Sequence, residues 1–201
     1  MKILFALFAA ALVALPVFAQ DAPRRLRAQI DSVDGQTLML TTREGEKVKL
    51  LLSPTASVTA LAPSTMEAIK PSSYIGTAAM TQADGTLVAL EVHIFMESQR
   101  GVAEGHRAWD SAGGATMTNA LVSTVNAAKA DARGRMLTLT YAGGEKQVLV
   151  PSSVPVVAFE PGDRSLMKAG NHVLVQAVKT ADGSYAADRI TVGRNGMIPP
   201  M

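Results

Sequence analysis

The sequence predicts an all-β protein: two tandem small β-barrels, each with one short helical turn, after an N-terminal leader. Three observations carry this reading. Apolar and polar residues alternate with period two in short runs such as Thr37-Leu38-Met39-Leu40-Thr41, the pattern of a half-buried strand. Turn residues, among them Asp34-Gly35, Glu44-Gly45, Asp84-Gly85 and Asp182-Gly183, separate those runs. The chain also repeats itself, because an offset of 98 or 99 pairs Gly35 with Gly134, Leu38 with Leu137, Leu40 with Leu139, Lys70 with Lys168 and Ala83-Asp84-Gly85 with Ala181-Asp182-Gly183. Duplicated positions report on the fold, so chemistry peculiar to the protein belongs where the copies differ or in the segment joining them.

The elements follow in order. Met1-Lys2, the apolar run Ile3 to Leu15 and Val17-Phe18-Ala19 read as a secretory signal peptide over 1–19, its apolar run shorter than the roughly 20 residues of a membrane-spanning helix. A first barrel is predicted over 24–96. Its strands are Leu26 to Val33, Gln36 to Thr42, Lys47 to Leu52, Tyr74 to Met80 and Leu87 to Phe95, with a short β segment at Ser57 to Leu61. Met66 to Ile69 reads as one helical turn with a Ser/Thr N-cap. A second barrel over 120–194 repeats the order: Leu121 to Ala127, Arg135 to Tyr141, Lys146 to Val150, Val154 to Phe159, a turn at Arg164 to Met167 capped by Pro161-Gly162-Asp163, then Val173 to Val178 and Tyr185 to Val192. Strands, a helical turn after the third, and two closing strands are the order of an OB-like barrel. A β-sandwich or an SH3-like barrel competes, and the helical turn decides for OB-like. Asp188 stands where the first copy has Leu90, which is read as inward-facing, so a bulge or a later strand start is expected there.

Ile30 to Leu38, the later Lys70-Pro71 and the Ala83-Asp84-Gly85 hairpin before Val92-His93-Ile94 resemble a bacterial exported domain-of-unknown-function family with OB-like β-barrel repeats. The resemblance covers both copies and implies an OB-like barrel and an envelope location. Gly76 and Asp188 depart from its pattern.

Composition narrows the function classes. Without Lys2 the mature chain has 18 basic against 17 acidic residues, a net charge of about +1, which is no basic field for nucleic acid. Only Arg24-Arg25-Arg27 clusters, and it reads as a solvated N-terminal arm. Aromatics for base stacking are few: Trp109, Tyr74, Tyr141, Tyr185 and two phenylalanines, Phe95 and Phe159, which read as core. The absence of cysteine excludes disulfides, a lipobox and a thiol nucleophile. No nucleophile elbow, Ser-x-x-Lys, His-Glu-x-x-His or phosphate loop occurs, so the protein is read as no enzyme. Asp84 and Asp182 are explained as hairpin residues.

The joining segment, 97–119, has no counterpart in either copy and carries the sole tryptophan. His106, Trp109 and Asp110 are the candidate ligand-binding residues, because an aromatic face with adjacent polar groups between two barrels holds a ligand. The competing reading has Trp109 stapling the segment to one barrel. A metal-handling alternative uses Glu91, His93 and His106 for copper or zinc, His and Met being the soft ligands of a chain without cysteine. The partner is read as an envelope protein, peptide, glycan or small ligand, and the location as periplasmic or secreted. The tail, 195–201, reads as a docking peptide for a partner or as disorder.

Overall fold

The computed structural model describes residues 22–131 and 134–201; the expected signal peptide lies outside the described residues, as do Ala132 and Arg133 of one predicted hairpin turn. The protein is all-β. Its strands are β1 (Arg24–Asp34), β2 (Thr37–Thr42), β3 (Lys47–Ser64), β4 (Tyr74–Thr81), β5 (Leu87–Ile94), β6 (Gly105–Ala108), β7 (Ala115–Asp131), β8 (Gly134–Tyr141), β9 (Gly144–Val150), β10 (Val156–Pro161), β11 (His172–Lys179) and β12 (Tyr185–Gly193). The predicted helical turns are 3₁₀ turns at Met66–Ala68 and Arg164–Leu166. Asp163 caps the second, its carboxylate accepting from Ser165 N at 2.7 Å, whereas Thr65 makes no side-chain cap at the first.

The strands close into OB-like five-stranded barrels, but the pairing does not follow the division of the chain at 97–119. Strands β1, β2 and the first part of β3 are joined by β11 and β12: β1 pairs antiparallel with β11, and β12 pairs parallel with β3. This is the terminal barrel. The central barrel takes β7, β8 and β9 with β4 and β5, with β4 antiparallel to β7 and β5 parallel to β9. Each barrel therefore has three strands from one repeat and two from the other, and the expected contiguous units, 24–96 and 120–194, exchange their closing strands. The second half of β3 and β10 form the crossing, an antiparallel ladder from Ser64↔Val156 to Thr59↔Pro161.

The exchange leaves two equivalent cores. Leu26, Ile30, Leu38, Leu40, Leu50, Val175 and Ile190 fill the terminal barrel; Ile75, Val92, Val122, Leu137, Leu139 and Val148 fill the central one. Each fully buried aliphatic side chain of this size contributes roughly 1.5–3 kcal/mol of hydrophobic free energy. The residue after each 3₁₀ segment plugs a barrel: Met167 belongs to the terminal core and Ile69 to the central one. A third cluster, Leu61, Val157 and Met201 with Phe159 and Leu174 against it, lies at the crossing.

The predicted irregularity near Asp188 is a bulge, and both repeats have it. The register of β12 shifts between Ala187 and Arg189, and that of β4 against β5 shifts so that Leu90 has no partner. Leu90 is 39% exposed rather than inward-facing, so an exposed Asp at the equivalent position carries no penalty. The hairpin glycines Gly85 and Gly183 both sit at φ 83°, the left-handed region that glycine tolerates best.

Candidate functional site

The outer faces of β5 and β7 in the central barrel and of β1, β11 and β12 in the terminal barrel look onto a common cleft of about 360 Å³. Their registers match: Gly76 pairs with His93 and Met117 with Ala78 on one wall, as Leu174 pairs with Thr191 and Arg25 with Gln176 on the other. The joining segment closes one side through Val102, Ala103, Arg107 and Trp109, and Phe159 and Met201 come from the crossing and the tail. Phe95 and Phe159 stack here with ring centroids 5.2 Å apart, and His93 meets both edge-on at 4.9 and 5.6 Å. These phenylalanines belong to the space between barrels rather than to a barrel core.

The joining segment is ordered by named bonds. Its last five residues, Ala115 to Asn119, belong to β7 and pair with β4, and β6 adds a short ladder on β7 from Gly105↔Asn119 to Ala108↔Thr116. Tyr74 Oη and Asn119 Nδ2 both donate to Val102 O, at 3.1 and 3.2 Å. Burial, with the charge of Glu104 in second place, pushes the Tyr74 phenol up to about 12. Across the cleft, Asp110 accepts from Arg27 at 2.8 Å and pairs with Arg25 at 2.7 Å, fastening the segment to β1. Burial raises the Asp110 pKa, but Arg27 and Arg25 together outweigh it and hold the carboxyl below its ordinary value.

The three residues singled out from the sequence part company here. Trp109 lines the cleft, with the Arg25 guanidinium 3.8 Å and that of Arg107 5.6 Å from its ring centroid. Among the described residues, its buried indole N–H has no hydrogen-bond partner. Asp110 sits outside the cleft lining and fixes Arg25. His106 is elsewhere: its Nδ1 lies 2.8 Å from Thr118 Oγ1, and it lines a separate pocket with Asp84, Lys146 and Gln147. Burial and then the charge of Lys146 hold the His106 pKa below the ordinary imidazole value.

Glu91 and His93 do adjoin. They are 2% and 3% exposed, with His93 Nδ1 3.2 Å from Glu91 Oε2, while Glu91 Oε1 is buried without a partner among the described residues. His106 does not join them, and among the described residues no group of three His, Cys, Asp or Glu is placed to hold a metal ion. Gly76 explains itself beside this pair: a Cβ there would stand 2.0 Å from His93 Nε2 and 2.6 Å from Asn119 Oδ1. Glycine at position 76 makes room for the imidazole.

Residues not singled out from the sequence supply the rest of the site. Arg25 and Arg27 form no solvated arm; they alternate with buried Leu26 and Ala28 on β1, and the Arg27 side chain is only 15% exposed. That alternation is the signal that finds them. The tail does not dangle: Met201 is buried in the crossing, Arg27 donates to its carbonyl, and Arg43 Nη2 donates to Pro199 O at 2.6 Å. The hairpin carboxylates are structural, as predicted for them. Asp84 Oδ1 accepts from Thr86 N at 2.9 Å, and the Thr180 and Ser184 hydroxyls hold Asp182 at about 2. Among the described residues no helix is long and apolar enough to cross a membrane. Comparison with family models, curated proteins and solved structures finds no match.

Proposed function

We propose that the protein is a non-catalytic binding module of the periplasm or extracellular space whose ligand enters the cleft between the two barrels. One observation carries the reading: a concave space of about 360 Å³ is lined by both barrels and by the joining segment, and it holds the sole tryptophan. That volume falls within the roughly 300–1,000 Å³ of small-molecule sites, which combine apolar walls with a few directed polar groups. Here the apolar part is Phe95, Phe159, Leu174 and Met117, and the polar part is Arg25, Gln176 and Asn119. Support also comes from the orphaned polar atoms Trp109 Nε1 and Asn119 Oδ1, both on residues of the lining, since a buried polar group left without a partner costs about 1–3 kcal/mol. The export reading rests on the leader. The non-catalytic reading rests on the missing motifs and on the structural roles of the hairpin carboxylates.

The test follows Trp109 emission while a small-molecule extract of a bacterial envelope is titrated in, with native mass spectrometry reading any retained mass. A saturable change with a retained mass is expected from the parent protein. Thr191→Phe, which fills the cleft without adding a second tryptophan, abolishes both. An unchanged response in that variant would place the site elsewhere.

A further inference from the structure

The cleft carries positive charge that the protein leaves unbalanced. Arg25, Arg107 and Arg189 all line it. Arg25 shares the single carboxylate of Asp110 with Arg27. Arg189 pairs with its neighbour Asp188 at 3.3 Å, where both side chains are well exposed and such a pair is weak. Arg107 donates to Ala103 O at 2.7 Å, and among the described residues no carboxylate forms an ion pair with it. Of the other acids nearby, Glu91 is turned to His93 and Glu104 accepts from Ala142 N at 2.7 Å, and neither is part of the lining. Burial, followed by the charge of Arg25, lowers the Arg107 pKa, which is how a cation without a counter-ion behaves.

Beside the guanidiniums the surface is apolar. Phe95 and Phe159 stack, and Leu174 and Met117 flank them. Arg25 and Arg107 both stand within 6 Å of the Trp109 centroid, so the cationic end of the cleft is local. Building on the binding-module reading, we infer that the cleft takes a small anionic amphiphile: a carboxylate, sulfonate or phosphate-type group held by Arg25 and Arg107, with an aromatic or aliphatic body against Phe95, Phe159 and Leu174. Guanidinium donors give charge-assisted, often bidentate bonds to such oxyanions. The modest volume admits a small molecule and turns away a bulky polyanion.

Two probes that share one ring system separate the parts of this proposal. 8-Anilinonaphthalene-1-sulfonate carries the anion; N-phenyl-1-naphthylamine lacks it. Both are titrated into the full chain, read by their own emission and by energy transfer from Trp109. The sulfonate is expected to bind at least about tenfold more tightly, a difference of one charge-assisted contact. Arg107→Gln and Arg25→Gln each weaken it by about tenfold and leave the neutral probe within about twofold, while Arg107→Lys restores part of the loss. Circular dichroism checks that each variant folds, and salt titration of the parent protein reads the same ion pairing without mutation, the sulfonate losing affinity and the neutral probe keeping it. Equal affinities for the two probes, or a sulfonate affinity indifferent to Arg107 and to salt, overturn the anion assignment and leave the cleft as a neutral apolar site. Failure of both probes to bind, or binding unaffected by Thr191→Phe, overturns the cleft itself and the proposal with it.

Discussion

The two walls of the cleft occupy equivalent registers of equivalent barrels, yet they are made of opposite material. On the central wall β5 and β7 present His93, Met117 and Asn119, with Gly76, Ala78 and Glu91 beside them off the lining, all buried. On the terminal wall the matching positions of β11, β12 and β1 present Leu174, Gln176, Arg189, Thr191 and Arg25, with Arg27 beside them off the lining, and none of them is fully buried. The cores behind the walls are alike, so the difference was not needed to close a barrel. Shared positions build the barrels, and divergent positions on one face of each make a socket with one packed wall and one cationic wall.

Breaking the packed wall should cost most. His93→Ala leaves the Glu91 carboxylate buried without its partner and removes the ring set against Phe95 and Phe159. A loss of about 3 kcal/mol or more is expected in urea unfolding, against less than about 1 kcal/mol for Thr191→Ala at the equivalent, partly exposed position. Equal losses at the two positions would mean that the walls differ in composition but not in energetic role. Gly76→Ala comes next. The added methyl must displace His93 or Asn119 from contacts well inside van der Waals range, a cost of about 1–3 kcal/mol. The reverse trade at the matching position, Leu174→Ala, widens the cleft and removes packing against Leu61, Val157 and Met201, so it should change both the ligand response and the unfolding midpoint.

The smallest effect sharpens the tie between the walls. Asp110 is half exposed, and Asp110→Asn should lower stability at pH 7 by less than about 1 kcal/mol. Its folded pKa is depressed, so its contribution is present above the unfolded value near 3.9 and is lost as the pH falls through the lower folded value. The stability curves of parent and variant should therefore merge in acid; curves that stay parallel would show that the link to Arg25 and Arg27 carries no net energy.

Strands and hairpins were legible because their signals are local. Alternation marks β2, and an Asp-Gly turn with φ 83° marks each closing hairpin. The exchange of closing strands was not legible, for a physical reason. The β4–β5 and β11–β12 hairpins carry the same inward pattern and the same Ala-Asp-Gly turn, so either one fits either barrel. What differs between them lies on their outer faces, where Gly76 opposes Leu174 in kind, and that difference acquires meaning only once the two faces meet. Trp109 could be found because one tryptophan in a segment absent from both repeats is conspicuous. His106 shared that segment but faces away from the cleft, since alternate residues of β6 point to opposite sides and Arg107 takes the cleft side. Arg25 was hidden by position, a charge at the head of the described chain passing for a solvated arm until Leu26 and Ala28 are seen to be buried beside it.

Strand exchange also sets the order in which the cores can close. The pieces of the central barrel, from Met66 to Val150, form one uninterrupted stretch of chain, a circular permutation in which the last two strands of the usual order come first. The terminal barrel is split by that insertion, and β3 must wait for β12 at the far end of the chain before its ladder is complete. Loop-closure entropy penalises the distant pairing, and chains rich in such pairings fold slowly. The nested barrel is therefore expected to close before the enclosing one, so that the cleft between them, with its arginines, is completed last.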